Sequence, residues 1–173
     1  MNCGVFRMMS RTESCLKDAF AGESQANMKY TAFAAQAEKE GYLQAARLFR
    51  AAAEAEAIHA ANHLKALKAV KTTKENLREA IAGETHEFKE MYPEMIKTAV
   101  DEGVKDAERT LSYANAVEEY HAKLYHEMLE SLDSKKDPFP YFVCPVCGMT
   151  VEREPPEKCP VCKVKGSMFK KIE

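Results

Sequence analysis

Across residues 12–132 the apolar positions recur at steps of three and four, the period of helices with one buried face. Two glycines and a threonine pair divide this run into four long helices, at about 12–39, 43–69, 73–102 and 104–132. Gly41 and Gly103 end the first and third, and Thr73 reads as an N-cap ahead of Lys74, Glu75 and Asn76. Pro93 interrupts the third helix and predicts a kink or local irregularity there. Past Asp133 the pattern stops. Pro138, Pro140, Pro145, Pro155, Pro156 and Pro160 follow, a density that excludes long helices. The expected organisation is a tail (1–11), a four-helix bundle (12–132), a linker (133–141) and a small β/loop metal module (142–173).

Each helical stripe is apolar except for a polar band at mid-height. The first carries Glu23 and Tyr30 among Leu16, Phe20, Ala26, Phe33 and Ala37. The second carries Glu56 and His59 among Ala46, Phe49, Ala53 and Leu67. The third carries Glu84 and Glu87 among Leu77, Ile81, Phe88, Met91 and Met95. The fourth carries Glu118 and His121 among Val104, Leu111, Ala114, Tyr125 and Leu129. An ionised carboxylate facing a core is costly unless paired. Five glutamates on four stripes therefore call for counter-charge, and two ferrous ions would set +4 against their −5. Carboxylate and imidazole donors suit iron or manganese.

The spacing sharpens this. Glu56-Ala-Ile-His59 and Glu118-Glu-Tyr-His121 are both Glu-x-x-His, and residues three apart share a helix face. Paired with single glutamates on two other helices, they give the ligand arrangement of ferritin-like di-iron proteins. Glu23 and Glu56 are 33 residues apart and Glu84 and Glu118 are 34, a weak internal repeat of helix pairs. One such motif arises easily by chance on a glutamate-rich surface helix; the ordered set does not. His63, His86 and His126 extend neither motif and read as solvated or supporting residues.

Four of the six cysteines form Cys144-Pro-Val-Cys147-Gly148 and Cys159-Pro-Val-Cys162, with 11 residues between. Two Cys-x-x-Cys turns bring four thiolates to one tetrahedral site. Gly148 permits a tight turn that points backbone N–H groups at sulfur. Taken alone, the module suits iron or redox-inert zinc equally. The di-iron pattern in the same chain favours iron, as a one-electron carrier. Cys15 is expected to be buried in its helix and Cys3 to lie in the tail.

Composition adds mainly exclusions. Among 173 residues, 46% are hydrophobic, enough for a core, and 25 Lys and Arg against 27 Asp and Glu give a formal −2. That balance offers no broad field for nucleic acid or membrane. No apolar run approaches the roughly 20 residues of a membrane span, and 1–11 lacks the apolar stretch of a signal peptide. The expectation is a cytoplasmic protein, with Met9 an alternative start to Met1.

The stretch Phe20-Ala-Gly-Glu23-Ser-Gln-Ala, the Glu-x-x-His pairs, Gly83-Glu84-Thr-His-Glu87-x-x-x-Met91-Tyr92-Pro93 and the terminal Cys-Pro-x-Cys pairs resemble the rubrerythrin family over about residues 12–169. The resemblance implies a peroxidase that reduces hydrogen peroxide to water at a diferrous site, re-reduced through a rubredoxin-like iron held by Cys144, Cys147, Cys159 and Cys162. It implies that Glu56 and Glu118 bridge the irons, that Glu23 binds one, and that Glu84 and His121 bind the other. It further implies that Glu87 and His59 exchange at one iron with redox state. It makes Tyr30 and Tyr92 hydrogen-bond partners of site carboxylates, where the pattern alone makes them core aromatics. An external donor, such as a rubredoxin or an NAD(P)H-dependent reductase, and a homodimer are implied too.

One spacing points to how such a dimer forms. In ferritin-like bundles the second and third helices run parallel, so their link travels the bundle's length. Here it must span roughly 28 Å, whereas residues 70–74 reach about 18 Å at full extension. Exchange of helix pairs between two chains, a domain-swapped dimer, resolves this. The competing functions are a ferroxidase, against which Glu87 and the cysteine module argue, and a non-catalytic protein with zinc in the cysteines.

Overall fold

The computed structural model describes residues 10–134 and 137–173. Its helices are α1 (Arg11–Lys39), α2 (Leu43–Ala66), α3 (Thr73–His86), α4 (Tyr92–Asp101) and α5 (Lys105–Ser131), with a π-helical turn, Glu87–Met91, joining α3 to α4. Three short strands follow: β1 (Tyr141–Val143), β2 (Thr150–Glu152) and β3 (Lys170–Ile172). The expected class, mostly helical with a small C-terminal strand module, is what the chain adopts. The tail, with Cys3 and the alternative start at Met9, lies outside the described residues, as do positions 135 and 136 of the linker.

The described residues divide into two compact units, one ending at Lys71 and the other beginning at Thr72. In the first, α1 packs along α2. Small residues make the close approach: Ala34, Ala37, Ala46, Ala53 and Ala60 are buried. The Asn27 side-chain amide donates to the Ala53 carbonyl at 2.7 Å. Tyr30, Phe33 and Phe49 form an aromatic cluster, with ring centroids 5.5–6.2 Å apart.

In the second unit α3, the π-turn and α4 pack on α5. Both helix pairs close with the same turn. At Gly41 (φ +85°) the Tyr42 N–H reaches Ala37 O, and at Gly103 (φ +72°) the Val104 N–H reaches Ala99 O. A left-handed residue with this long back-bond is a Schellman cap. The internal repeat thus extends from the glutamates to the turns.

Two expected boundaries move. The cap of α3 is Thr72, not Thr73: its Oγ accepts from Glu75 N–H, and the Glu75 carboxylate accepts from Thr72 N–H. A capping box needs its acidic partner three residues on, and only Thr72 has one at that distance. The second helix ends at Ala66 rather than 69, because Lys68 turns left-handed (φ +52°) and Ala69 N–H bonds back to Leu64 O.

The irregularity expected at Pro93 is the π-turn. Proline has no N–H to continue the α-helical ladder, and the Tyr92 N–H instead reaches Glu87 O, one residue farther back than in an α-helix. Such single π-turns recur at functional sites because they re-aim side chains.

The strands form one antiparallel sheet in the order β2-β1-β3, with Phe142 opposite Val151 and Lys171. Its core is Cys144, Met149, Cys159 and Phe169, joined by Val117 from α5. No described helix is long and apolar enough to cross a membrane.

Candidate metal centres

Three groups of potential ligands come together, each with its donor atoms within 4.8 Å of one another. Glu23, Glu56 and His59 form the first, on the α1–α2 pair. His59 Nδ1 lies 2.8 Å from Glu56 Oε2 and 3.9 Å from Glu23 Oε1. Glu84, Glu118 and His121 form the second, on α3 and α5. There His121 Nδ1 lies 2.7 Å from Glu118 Oε2 and 4.0 Å from Glu84 Oε1. The two triads repeat each other atom for atom, because each Glu-x-x-His spans one helical turn toward a glutamate on the neighbouring helix. They differ in cover: the His59 side chain is 53% exposed and that of His121 25%.

The second triad is electrostatically crowded. Burial first, then the charge of Glu118, a hydrogen bond with Glu118 and the charge of Glu87, push Glu84 up from 4.5 to about 7. Crowded carboxylates that resist ionisation are a site lacking positive charge, and hard cations bound by oxygen and imidazole supply it.

Glu87 stands outside both triads, on the first residue of the π-turn. Burial, and then the charges of Glu87, Glu118 and Glu84, raise the Tyr92 hydroxyl above 10, which puts Tyr92 in the field of this carboxylate group. Tyr30 lies in the aromatic cluster of α1 and α2. His86 and His126 are exposed and pair with Glu90 and Glu130 on their own helices. Cys15 is exposed rather than buried. It lies about 100° round the helix from the stripe residue Leu16, which turns it to solvent.

The third group is Cys144, Cys147, Cys159 and Cys162. Cys144 and Cys162 sulfurs lie 3.5 Å apart, as do those of Cys147 and Cys159. A tetrahedral metal with bonds of about 2.3 Å has sulfur–sulfur edges of about 3.8 Å, so the donor set fits.

The two Cys-Pro-Val-Cys loops are built alike. Gly148 N–H reaches Cys144 O and Lys163 N–H reaches Cys159 O, both at 3.0 Å. Cys144 N–H and Cys159 N–H bond forward to Met149 O and Val164 O, both at 2.8 Å. Both turns need a left-handed residue. Gly148 (φ +81°) takes it freely, and Lys163 (φ +66°) takes it with its ammonium donating to Pro160 O at 2.6 Å.

Burial raises the thiols of Cys147 and Cys162. At Cys159 burial is outweighed by the backbone N–H groups of Cys162 and Val161 and by neighbouring thiols, which bring it down from 9 to about 7. N–H groups aimed at sulfur stabilise thiolate, the form that binds metal.

The sequence pattern does not single out Val117 or Thr150, yet both join the cysteine module to α5. Val117 is 2% exposed in the module's core, and Thr150 Oγ1 lies 3.0 Å from His121 Nε2. Val117 sits one turn before His121, so the apolar period contains the first contact without naming its partner.

Known proteins match the chain along most of its length. The family model described as Rubrerythrin matches residues 14–129. That described as the rubrerythrin rubredoxin-like domain matches residues 142–170. Rubrerythrin-2 of Clostridium acetobutylicum is 39% identical, covering 91% of this chain and 95% of its own. Nigerythrin of Nitratidesulfovibrio vulgaris is 36% identical, over 85% and 79% of the two chains. The solved structure of nigerythrin in its fully reduced, all-ferrous state is 32% identical, with a TM-score of 0.58 over 99% of this chain and 92% of that one.

Proposed function

The chain belongs to the rubrerythrin family, and on that premise we propose that it is a peroxidase reducing hydrogen peroxide to water. The observation that carries this reading is the joint presence of two Glu-Glu-His triads and a four-sulfur site in one chain. When bound, a di-iron pair supplies two electrons to one O–O bond, and a cysteine-bound iron returns them singly.

The protein's own part is to hold and tune. In this reading Glu56 and Glu118 would be shared by two metals, Glu23 would hold one, and Glu84 and His121 would hold the other. Glu87 and His59 would be alternative donors to a single metal. Two features support that exchange: His59 is the more exposed of the two rings, and Glu87 begins a π-turn. Tyr92, in the field of Glu84, Glu87 and Glu118, orients carboxylates as they move. The thiolate-stabilising N–H groups around Cys159 serve the carrier site. An external donor, such as a rubredoxin or an NAD(P)H-dependent reductase, completes the cycle in the cytoplasm.

We further infer a homodimer in which the α1–α2 triad of one copy meets the α3–α5 triad of another. From His59 to Ala66, α2 rises about 10 Å, and Thr73 stands about 16 Å before Glu84 along α3. Residues 67–72 span at most about 24 Å, and the left-handed turn at Lys68 shortens them further. Apolar side chains on the ligand-bearing stripes, Phe33, Met95 and Tyr125, are exposed in the single chain, as a face awaiting a second copy would be.

The test is anaerobic. The fully reduced protein is mixed with one equivalent of hydrogen peroxide and the ferric–thiolate bands are followed. Fast peroxide loss followed by return of the red colour is expected. A colourless cysteine site, or slow loss without reoxidation, would turn the reading to a zinc-bearing protein or a ferroxidase. A metal-loaded monomer in solution would overturn the dimer.

A further inference from the structure

We propose that Thr150 is a positioning residue for the di-iron site: its hydroxyl fixes which nitrogen of His121 meets the metal, and so ties that ligand to the cysteine module of the same chain. The proposal rests on the reading of His121 as a ligand.

The argument is a count of hydrogens. Thr150 Oγ1 donates its one proton to the Gly148 carbonyl at 3.1 Å. Toward His121 Nε2, at 3.0 Å, it therefore has only a lone pair to offer. Nε2 must carry the proton of that bond. Nδ1 faces the carboxylates, 2.7 Å from Glu118 and 4.0 Å from Glu84, and is the nitrogen that a cation seated among them would meet, displacing any hydrogen shared with Glu118. A ligating histidine is commonly oriented by what its other nitrogen donates to, and that partner fixes both tautomer and ring plane.

The position of Thr150 is itself fixed. It opens β2, paired opposite Val143 of β1. Gly148, whose carbonyl it engages, directly follows Cys147 and bonds through its N–H to Cys144 O at 3.0 Å. A Cβ at Gly148 would lie 3.9 Å from Val117 Cγ1, and Val117 is nearly fully buried. The module thus meets α5 at an apolar point, Val117, and one turn later at a polar one, His121. Cys147, Gly148, Thr150 and His121 form a continuous covalent and hydrogen-bonded link from a sulfur of one centre to a ligand of the other. The other triad differs: His59 is more than half exposed, and among the described residues no such hydroxyl is bonded to its Nε2.

The test uses the full-length protein and two readouts that involve no peroxide. In zinc-loaded, nitrogen-15-labelled protein, the His121 ring is expected to bind metal through Nδ1 and to keep hydrogen on Nε2. Thr150→Val, which keeps the shape and removes the hydroxyl, is expected to weaken ferrous binding at this triad by about 10- to 100-fold, with the ferric–thiolate bands of the module unchanged. Thr150→Ser is expected to restore affinity. Metal bound through Nε2 in the unsubstituted protein overturns the proposal without need of any variant. So does a Thr150→Val protein with unchanged affinity and an unchanged ring spectrum. A protein that fails to reduce peroxide while passing both readouts refutes the peroxidase and leaves Thr150 in its role.

Discussion

Gly166 stands directly against the carbonyl of Pro156: a Cβ built on it would overlap that oxygen and lie 2.9 Å from the carbonyl carbon. The Gly166 N–H meanwhile bonds to Glu157 O at 2.8 Å, which fixes the approach. Backbone cannot retreat as a flexible side chain can. Gly166→Ala is therefore expected to open the loop holding Cys159 and Cys162, at a cost of about 1–3 kcal/mol or more. The ferric–thiolate absorption should weaken or vanish while the helical circular dichroism remains. Retention of the full visible spectrum and an unchanged melting temperature would refute the close approach.

The capping box of α3 separates two adjacent threonines. Thr72 Oγ accepts from Glu75 N–H at 3.3 Å, and the Glu75 carboxylate closes back on Thr72 N–H at 3.2 Å. Loss of such a cap costs roughly 1 kcal/mol. Thr72→Ala should lower the denaturation midpoint accordingly, whereas Thr73→Ala, inside the first turn, should change it little. Denaturant titration of the two variants side by side checks this, and equal losses would return the cap to the position that the sequence first suggests.

That pair also marks what a sequence reveals. A threonine with a glutamate three residues on announces a helix start, and that spacing fits Thr72 with Glu75 rather than Thr73 with Asn76. Part of each candidate ligand group is plain because it lies within one helical turn or one Cys-x-x-Cys loop, so spacing alone brings Glu56 to His59 and Cys144 to Cys147. Pro93 marks a local irregularity for the same local reason, and the fold gives it the form of a π-turn. The end of α2 was hidden, since a lysine gives no sign of turning left-handed at position 68. Cys15 went to solvent because one residue of phase separates it from its stripe. Val117 and Thr150 matter through partners on another element, and no local pattern encodes those.

Glu118 is central to its triad, lying close to His121 and hydrogen-bonded with Glu84. Glu118→Ala should therefore abolish di-iron loading and leave the cysteine-bound iron in place. Cys159→Ser should do the reverse, since its thiol is the one brought down to about 7. Metal analysis with the visible spectrum separates the cases. Loss of both metals in either variant would mean that the centres do not load independently.

Glu84 gives the metal-free protein a pH signature whose sign can be worked out. Its carboxyl holds a proton up to about pH 7 when folded, through burial and the neighbouring Glu118 and Glu87, against 4.5 ordinarily. Between these values the folded state binds more protons than the unfolded chain, so stability falls as pH rises. The contribution is fully present below about pH 4.5 and is lost as pH passes about 7. Glu84→Gln cannot ionise and should flatten this part of the profile. Metal reverses the slope, because binding requires the deprotonated carboxylate and draws the equilibrium toward it. Denaturation midpoints at about pH 5 and about pH 7.5, for the metal-free and iron-loaded protein and for the variant, test the sign. A metal-free protein that gains stability over this interval relative to Glu84→Gln would show that the carboxyl is already ionised, and that the triad is less crowded than its geometry indicates.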